Sequence, residues 1–160
     1  MNDWRDDIFE VFQDHDIKQV YHVPDAGHSR LIEACQKSNS VRTLALTTEE
    51  EGIAIAAGAW LGGQRSALLM QSSGVGNTIN MVGLTKTLRF PFLTLITMRG
   101  DYGEGNPWQM SMGQATRPLL QLDGTWFGGA CRSSREYESH GDDYRSLYAR
   151  LPNGRTASRL

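Results

Sequence analysis

The chain has 160 residues, 39% of them hydrophobic and 21% charged, with a formal net charge of -2 and a pI of about 6.1. That length favours one domain with a real core, and the balanced charge, with no Lys/Arg stripe or run, argues against nucleic acid or a membrane surface as partner. No apolar run reaches the roughly 18 residues that span a bilayer, and the two cysteines, Cys35 and Cys131, stand far apart without metal-ligand spacing.

The opening stretch, MNDWRDDIFEVFQDH, is acidic and amphipathic and unlike a signal peptide, so a reducing cytoplasm is the expected setting. Trp4, Ile8, Val11, Phe12 and His15 recur at helical spacing behind a cap at Asn2 or Asp3. Residues 18–23, KQVYHV, read as a short strand that Pro24 ends, and residues 25–29 read as a polar turn before a short helix carrying Leu31, Ile32, Ala34 and Cys35. Residues 41–46, VRTLAL, form a second predicted strand.

Residues 47–63, TTEEEGIAIAAGAWLGG, are the most unusual stretch of the chain. Thr47 or Thr48 serves as N-cap, and Glu49, Glu50 and Glu51 fall in the first turn, where the helix dipole favours anions. Ala54, Ala57, Gly58 and Leu61 make a stripe of mostly tiny side chains, and Gly62-Gly63 supply a left-handed stop. Residues 66–70, SALLM, are apolar enough for a strand buried on both faces. Residues 71–77, QSSGVGN, read as a glycine-rich turn into a helix that runs through Lys86. Residues 90–97, FPFLTLIT, are a fourth strand, residues 98–109 a long polar loop, and residues 110–120 a short helix.

Strand and helix thus alternate with short connections, the pattern of an α/β fold with a parallel sheet and helices on both faces. Ligands bind beyond the carboxyl ends of strands in such sheets. Four segments fall there, namely residues 24–29, 47–51, 71–77 and 98–109, and they hold nearly all the unusual polar chemistry of the chain. Residues 1–122 form the expected α/β domain. Residues 123–160, with six arginines and no lysine, show no sustained strand or helix period and read as an atypical tail.

The run Ser73-Gly74-Val75-Gly76-Asn77 suits close approach of backbone to a ligand at a helix N-terminus. It lacks the Gly-Lys-Ser/Thr of a P-loop and the third glycine of a dinucleotide fingerprint. Of the two nearby histidines, His22 lies within a strand and reads as a buried core residue, whereas His28, in a polar turn, is available for substrate contact or proton transfer. Arg99, at the end of the fourth strand, can bind an anionic group as a fork. No side-chain set here has metal-ligand spacing.

Taken together, Val23-Pro24, the nine-residue step from Glu49 to Gly58, and Ser73-Gly74-Val75-Gly76-Asn77 resemble the pyrimidine-binding domain of thiamine diphosphate-dependent enzymes. The runs EEEGIAIAAGAWLGG, LLMQSSGVGNTIN and ITMRGDYGEGNPWQMSMGQAT are similar to the sulfopyruvate and phosphonopyruvate decarboxylase group. The likeness covers residues 5–121. It implies that Glu49 hydrogen-bonds the aminopyrimidine N1' and activates the cofactor, that Pro24 and residues 73–77 shape the pyrimidine pocket, and that His28 and Arg99 contact a small anionic 2-keto acid. It also implies what is absent: the family holds the diphosphate and Mg2+ through Gly-Asp-Gly and a later asparagine, and no Gly-Asp-Gly occurs here. The expectation is therefore an α-type decarboxylase (carboxy-lyase) subunit in a hetero-oligomer, inactive alone, with a β-type partner that supplies the metal site. The alternatives are another thiamine diphosphate-dependent carboligase or lyase subunit, or a non-catalytic assembly module with a degenerate site.

Overall fold

Asp3 caps the first helix by accepting the Arg5 backbone N–H at 3.0 Å, and helix α1 then runs Trp4–Asp14 with Ile8 and Phe12 turned inward. The elements that follow in the computed structural model are β1 (Ile17–His22), α2 (Ser29–Lys37), β2 (Arg42–Ala45), α3 (Glu49–Leu61), β3 (Arg65–Gln71), α4 (Ser72–Leu88) and β4 (Leu93–Thr97). A single 3-10 turn (Pro107–Gln109) and α5 (Met110–Leu122) complete them. The structure describes residues 3–100 and 103–122; the atypical tail expected over residues 123–160 lies outside them. Residues up to Thr97 form one compact unit, and those from Met98 onward belong to a second.

In the first unit the four strands are all parallel, in the order β2-β1-β3-β4. The chain winds from β1 outward to β2, then crosses to β3 and winds the other way to β4. Right-handed crossovers place α2 on one face and α3 and α4 on the other, which agrees with the packing of α1 on α2 and of α3 on α4. The reversal falls between β1 and β3, so a crevice opens there at the carboxyl edge of the sheet.

The core is sealed by Val20, Leu69, Ile53 and Val75, each fully buried. Gly52 lets α3 lie close on the sheet: a Cβ there would stand 2.6 Å from Leu68 Cδ1 and 2.9 Å from Leu46 Cδ1. Helix α3 ends as its two glycines predict. Gly63 adopts φ +76°, its N–H donates to the Trp60 carbonyl at 2.9 Å, and the Gln64 N–H donates to the Ala59 carbonyl at 2.8 Å.

One sequence expectation changes here. Residues 73–77 are not a loop, because α4 begins at Ser72 and they form its first turns. Buried Val75, Thr78 and Val82 give this segment a packed face that outweighs the poor helix propensity of Gly74 and Gly76.

The second unit is a smaller affair. The Arg99 guanidinium forks onto Glu104, with Nε at 2.7 Å and Nη2 at 2.6 Å, while Glu104 also accepts the backbone N–H groups of Gly100 and Asn106. The Arg99 hydrogen bonds hold the Glu104 carboxyl at about 2. Gly113 of α5 packs on the Arg99 carbonyl; a Cβ there would come 2.8 Å from the carbonyl carbon and closer still to its oxygen. Among the described residues, no helix is long and apolar enough to cross a membrane.

Candidate functional site at the carboxyl edge of the sheet

The three adjacent glutamates of α3 separate by function as soon as the helix forms. At 100° per residue they point in different directions. Glu49 turns inward and is 7% exposed, whereas Glu50 and Glu51 lie on the surface. Glu51 Oε2 accepts the Thr47 backbone N–H at 3.0 Å, a reach back over the helix start that satisfies a donor just before it. Thr48 is the N-cap residue, yet its hydroxyl makes no capping bond and is buried without a partner.

The inward carboxylate is held by α4. Asn77 Nδ2 donates to Glu49 Oε2 at 2.9 Å. Gly74, one turn earlier, lies directly against the Glu49 side chain. A Cβ at residue 74 would stand 2.6 Å from Glu49 Cγ and closer still to Cδ and Oε1. Glycine is required there by contact with the glutamate rather than by an unusual φ. Among the described residues no hydrogen bond reaches Glu49 Oε1, so one oxygen of a nearly buried carboxylate is fixed and the other keeps its accepting capacity unused. Ser73, on the surface, donates to Gln71 Oε1 at 2.8 Å, and Gly76 is exposed.

A second polar cluster sits in the crevice between β1 and β3. Asp25, whose side chain is 5% exposed, is its hub. Its Oδ1 accepts Gln71 Nε2 at 3.2 Å, and its Oδ2 accepts Thr97 Oγ1 at 2.8 Å and the His28 backbone N–H at 3.2 Å. The loop after β1, the start of α2, and the ends of β3 and β4 are thereby tied to one carboxylate. Burial, the largest single influence, would raise the pKa of Asp25, but the contacts from His28, Thr97 and Gln71 together outweigh it and hold the carboxyl well below its ordinary range. Gly27 permits the loop to lie on Thr97, since a Cβ there would be 2.5 Å from Thr97 Cγ2.

His22 and His28 are 4% and 2% exposed. His22 is in register with Leu69, and Leu68 faces α3, so strand alternation turns Leu69 and His22 toward the α2 face. Neither ring nitrogen of His22 has a hydrogen-bond partner. Burial first, and repulsion from His28 second, hold its imidazole below the ordinary value of 6.5.

The expected residues thus fall into groups. Glu49, Gly74 and Asn77 come together directly, and Val75 anchors the turn that carries the latter two. His28 is buried in the Asp25 cluster rather than displayed in an open loop, and Pro24 is exposed beside it. Arg99 belongs to the second unit and is engaged by Glu104. Asp25, Gln71 and Thr97 were not singled out by sequence, although a polar residue closing each of two apolar strands, Gln71 and Thr97, is a signal that could have found them. Among the described residues, no cluster of three His, Cys, Asp or Glu side chains could hold a metal ion.

The thiamine pyrophosphate enzyme N-terminal TPP binding domain matches residues 3–116. The chain is 38% identical over 115 residues to the sulfopyruvate decarboxylase subunit alpha of Methanococcus maripaludis, covering 71% of this chain and 69% of that protein. It is 37% identical over 116 residues to the corresponding subunit of Methanocaldococcus jannaschii, with 72% and 69% covered. Phosphonopyruvate decarboxylase of Streptomyces viridochromogenes is 37% identical over 108 residues, which is 66% of this chain and 27% of that enzyme. With a family match over more than half its length, this chain belongs to the thiamine pyrophosphate enzymes, as their N-terminal TPP binding domain.

Proposed function

We propose that the chain is the α-type subunit of a thiamine diphosphate-dependent decarboxylase acting on a small anionic 2-keto acid of the sulfopyruvate or phosphonopyruvate kind. The observation that carries this reading is Glu49: nearly buried, with Oε2 fixed by Asn77 and Oε1 without a hydrogen bond among the described residues. Those residues fit the pyrimidine end of the cofactor. When bound, thiamine diphosphate supplies a nucleophilic carbon and an electron sink for loss of CO2.

The part of this chain is to position and to share a proton. Glu49 would hold the pyrimidine end of the cofactor by a hydrogen bond to N1' and share a proton with it. Asn77 keeps the carboxylate in one rotamer, and Gly74 leaves the space that rotamer needs. Val75, Gly76 and Ser73 shape the start of α4 beside the pyrimidine, and Pro24 borders it from β1. His28 contacts the substrate. Arg99 is a second candidate, and a substrate anion would have to exchange with Glu104 to reach its fork. A diphosphate-binding partner subunit, supported by the relatives named subunit alpha, would hold Mg2+ and complete the active site.

The test is purification of the tagged chain with whatever co-purifies in thiamine diphosphate and Mg2+, followed by CO2 release from sulfopyruvate and phosphonopyruvate. The wild-type complex is expected to decarboxylate one of them. Glu49→Gln is expected to lower kcat by at least about a hundredfold. A complex that releases no CO2 from either, or a variant with full activity, refutes the reading.

A further inference from the structure

Asp25 stands outside the Glu49 cluster. This buried carboxylate is drawn on by four groups from three residues, Gln71, Thr97 and His28. Three of those contacts, with Gln71, Thr97 and the His28 backbone N–H, are directed hydrogen bonds. The fourth is different. His28 Nδ1 lies 3.2 Å from Asp25 Oδ2, as a charge contact and not a directed hydrogen bond, and no other partner reaches that nitrogen. Both side chains are almost fully buried, at 2% and 5% exposure.

That arrangement decides where the imidazole carries its proton. If Nδ1 were bare, its partial negative charge would stand 3.2 Å from a carboxylate oxygen, both groups being almost fully buried, and the contact would be repulsive. If Nδ1 carries hydrogen, the same contact is attractive. Neutral histidine in water has no such constraint, and the tautomer is set by whatever the neighbouring nitrogen meets. The nearby His22, neutral in its apolar surroundings, and Gln71 and Thr97, both uncharged, supply no competing charge. The Arg5 guanidinium is paired with Asp3, at 2.6 and 2.8 Å, and touches this loop at the Gly27 carbonyl, at 3.5 Å.

The geometry points to Asp25 as a positioning residue: its carboxylate fixes His28 as the Nδ1–H tautomer and leaves Nε2 as the nitrogen with a lone pair for a 2-keto acid or its product in the β1/β3 crevice. The tautomer assignment stands on the cluster alone. Its use in turnover rests on the decarboxylase reading above.

The experiment is long-range 1H–15N NMR of the full chain labelled in histidine nitrogen, at about pH 8.5, with His28 assigned through His28→Gln. Wild-type His28 is expected to show hydrogen on Nδ1, whether or not Nε2 is also protonated. Asp25→Ala is expected to move most of the population to Nε2–H. Thr97→Val, which removes a different donor from the same carboxylate, is expected to leave the tautomer unchanged. A wild-type ring in the Nε2–H form overturns the proposal even if Asp25→Ala fails to fold. Retention of Nδ1–H in a folded Asp25→Ala chain also overturns it. In the partner complex, Asp25→Ala is expected to lower kcat/KM about a hundredfold and to change its pH profile. Equal kcat/KM for Asp25→Ala and wild type would overturn the role in turnover. A wild-type complex that never decarboxylates sinks the decarboxylase reading and leaves the tautomer result standing.

Discussion

At the scale of single residues, the Glu49 pocket is defined by a contact that excludes a methyl group. Gly74→Ala would drive Cβ into the Glu49 carboxylate, so either the glutamate leaves its rotamer or α4 shifts. The expected cost is about 1–3 kcal/mol in stability, read by urea denaturation, together with weaker binding of thiamine diphosphate to the partner complex. Gly58 is the counter-case. It lies mid-helix on α3 with nothing within 4 Å of a built Cβ, so Gly58→Ala is expected to stabilise the isolated chain by roughly 0.5–1 kcal/mol. His22 offers a third test. Both its ring nitrogens are buried without partners, so His22→Leu is expected to leave stability at pH 7.5 within about 1 kcal/mol of wild type.

At the scale of elements, the carboxyl ends of β1, β3 and β4 carry the acid response of the fold. The His22 imidazole lies below its ordinary 6.5 when folded, so the unfolded chain binds more protons and stability falls as pH drops through 6.5. Asp25 is likewise depressed below its ordinary 3.8, and its contribution is present above that value and lost as pH falls toward its folded value. Thermal melts from pH 8 to pH 3 are therefore expected to show one decline through pH 6.5 and the onset of a second below about pH 4, and His22→Leu should remove the first while keeping the second. The elements themselves were largely legible in the chain. Strand-helix alternation gave the parallel sheet, and Gly62-Gly63 marked the end of α3, because both signals are local. The start of α4 was not legible. Two glycines in QSSGVGN look like a loop, and only the contact of Gly74 with Glu49, 25 positions earlier, together with the buried face of Val75, Thr78 and Val82, makes it a helix. Glu49 was picked out from two neighbouring glutamates by family resemblance, while Asp25 passed as an ordinary turn residue because its partners arrive from β3 and β4.

At the scale of the whole chain, the two-way winding of the sheet is what places a candidate site between segments distant in sequence. The small-residue stripe on α3 is also visible at this scale. Ala54 and Gly58 are exposed and Leu61 is 79% exposed, while Ala57 is buried, so only part of the stripe serves the core. The bonds that define the site span long stretches of chain: 28 residues from Glu49 to Asn77, 46 from Asp25 to Gln71 and 72 from Asp25 to Thr97. During synthesis at about 5–20 residues per second, helix α1 and strand β1 would wait several seconds before β3 and β4 emerge to pair beside them. Until then the Asp25 carboxylate has only its own turn to bond, and the face of β1 that α3 later covers stays bare. The same distribution of partners that gathers the polar groups at one edge thus defers their bonding until most of the sheet has been made.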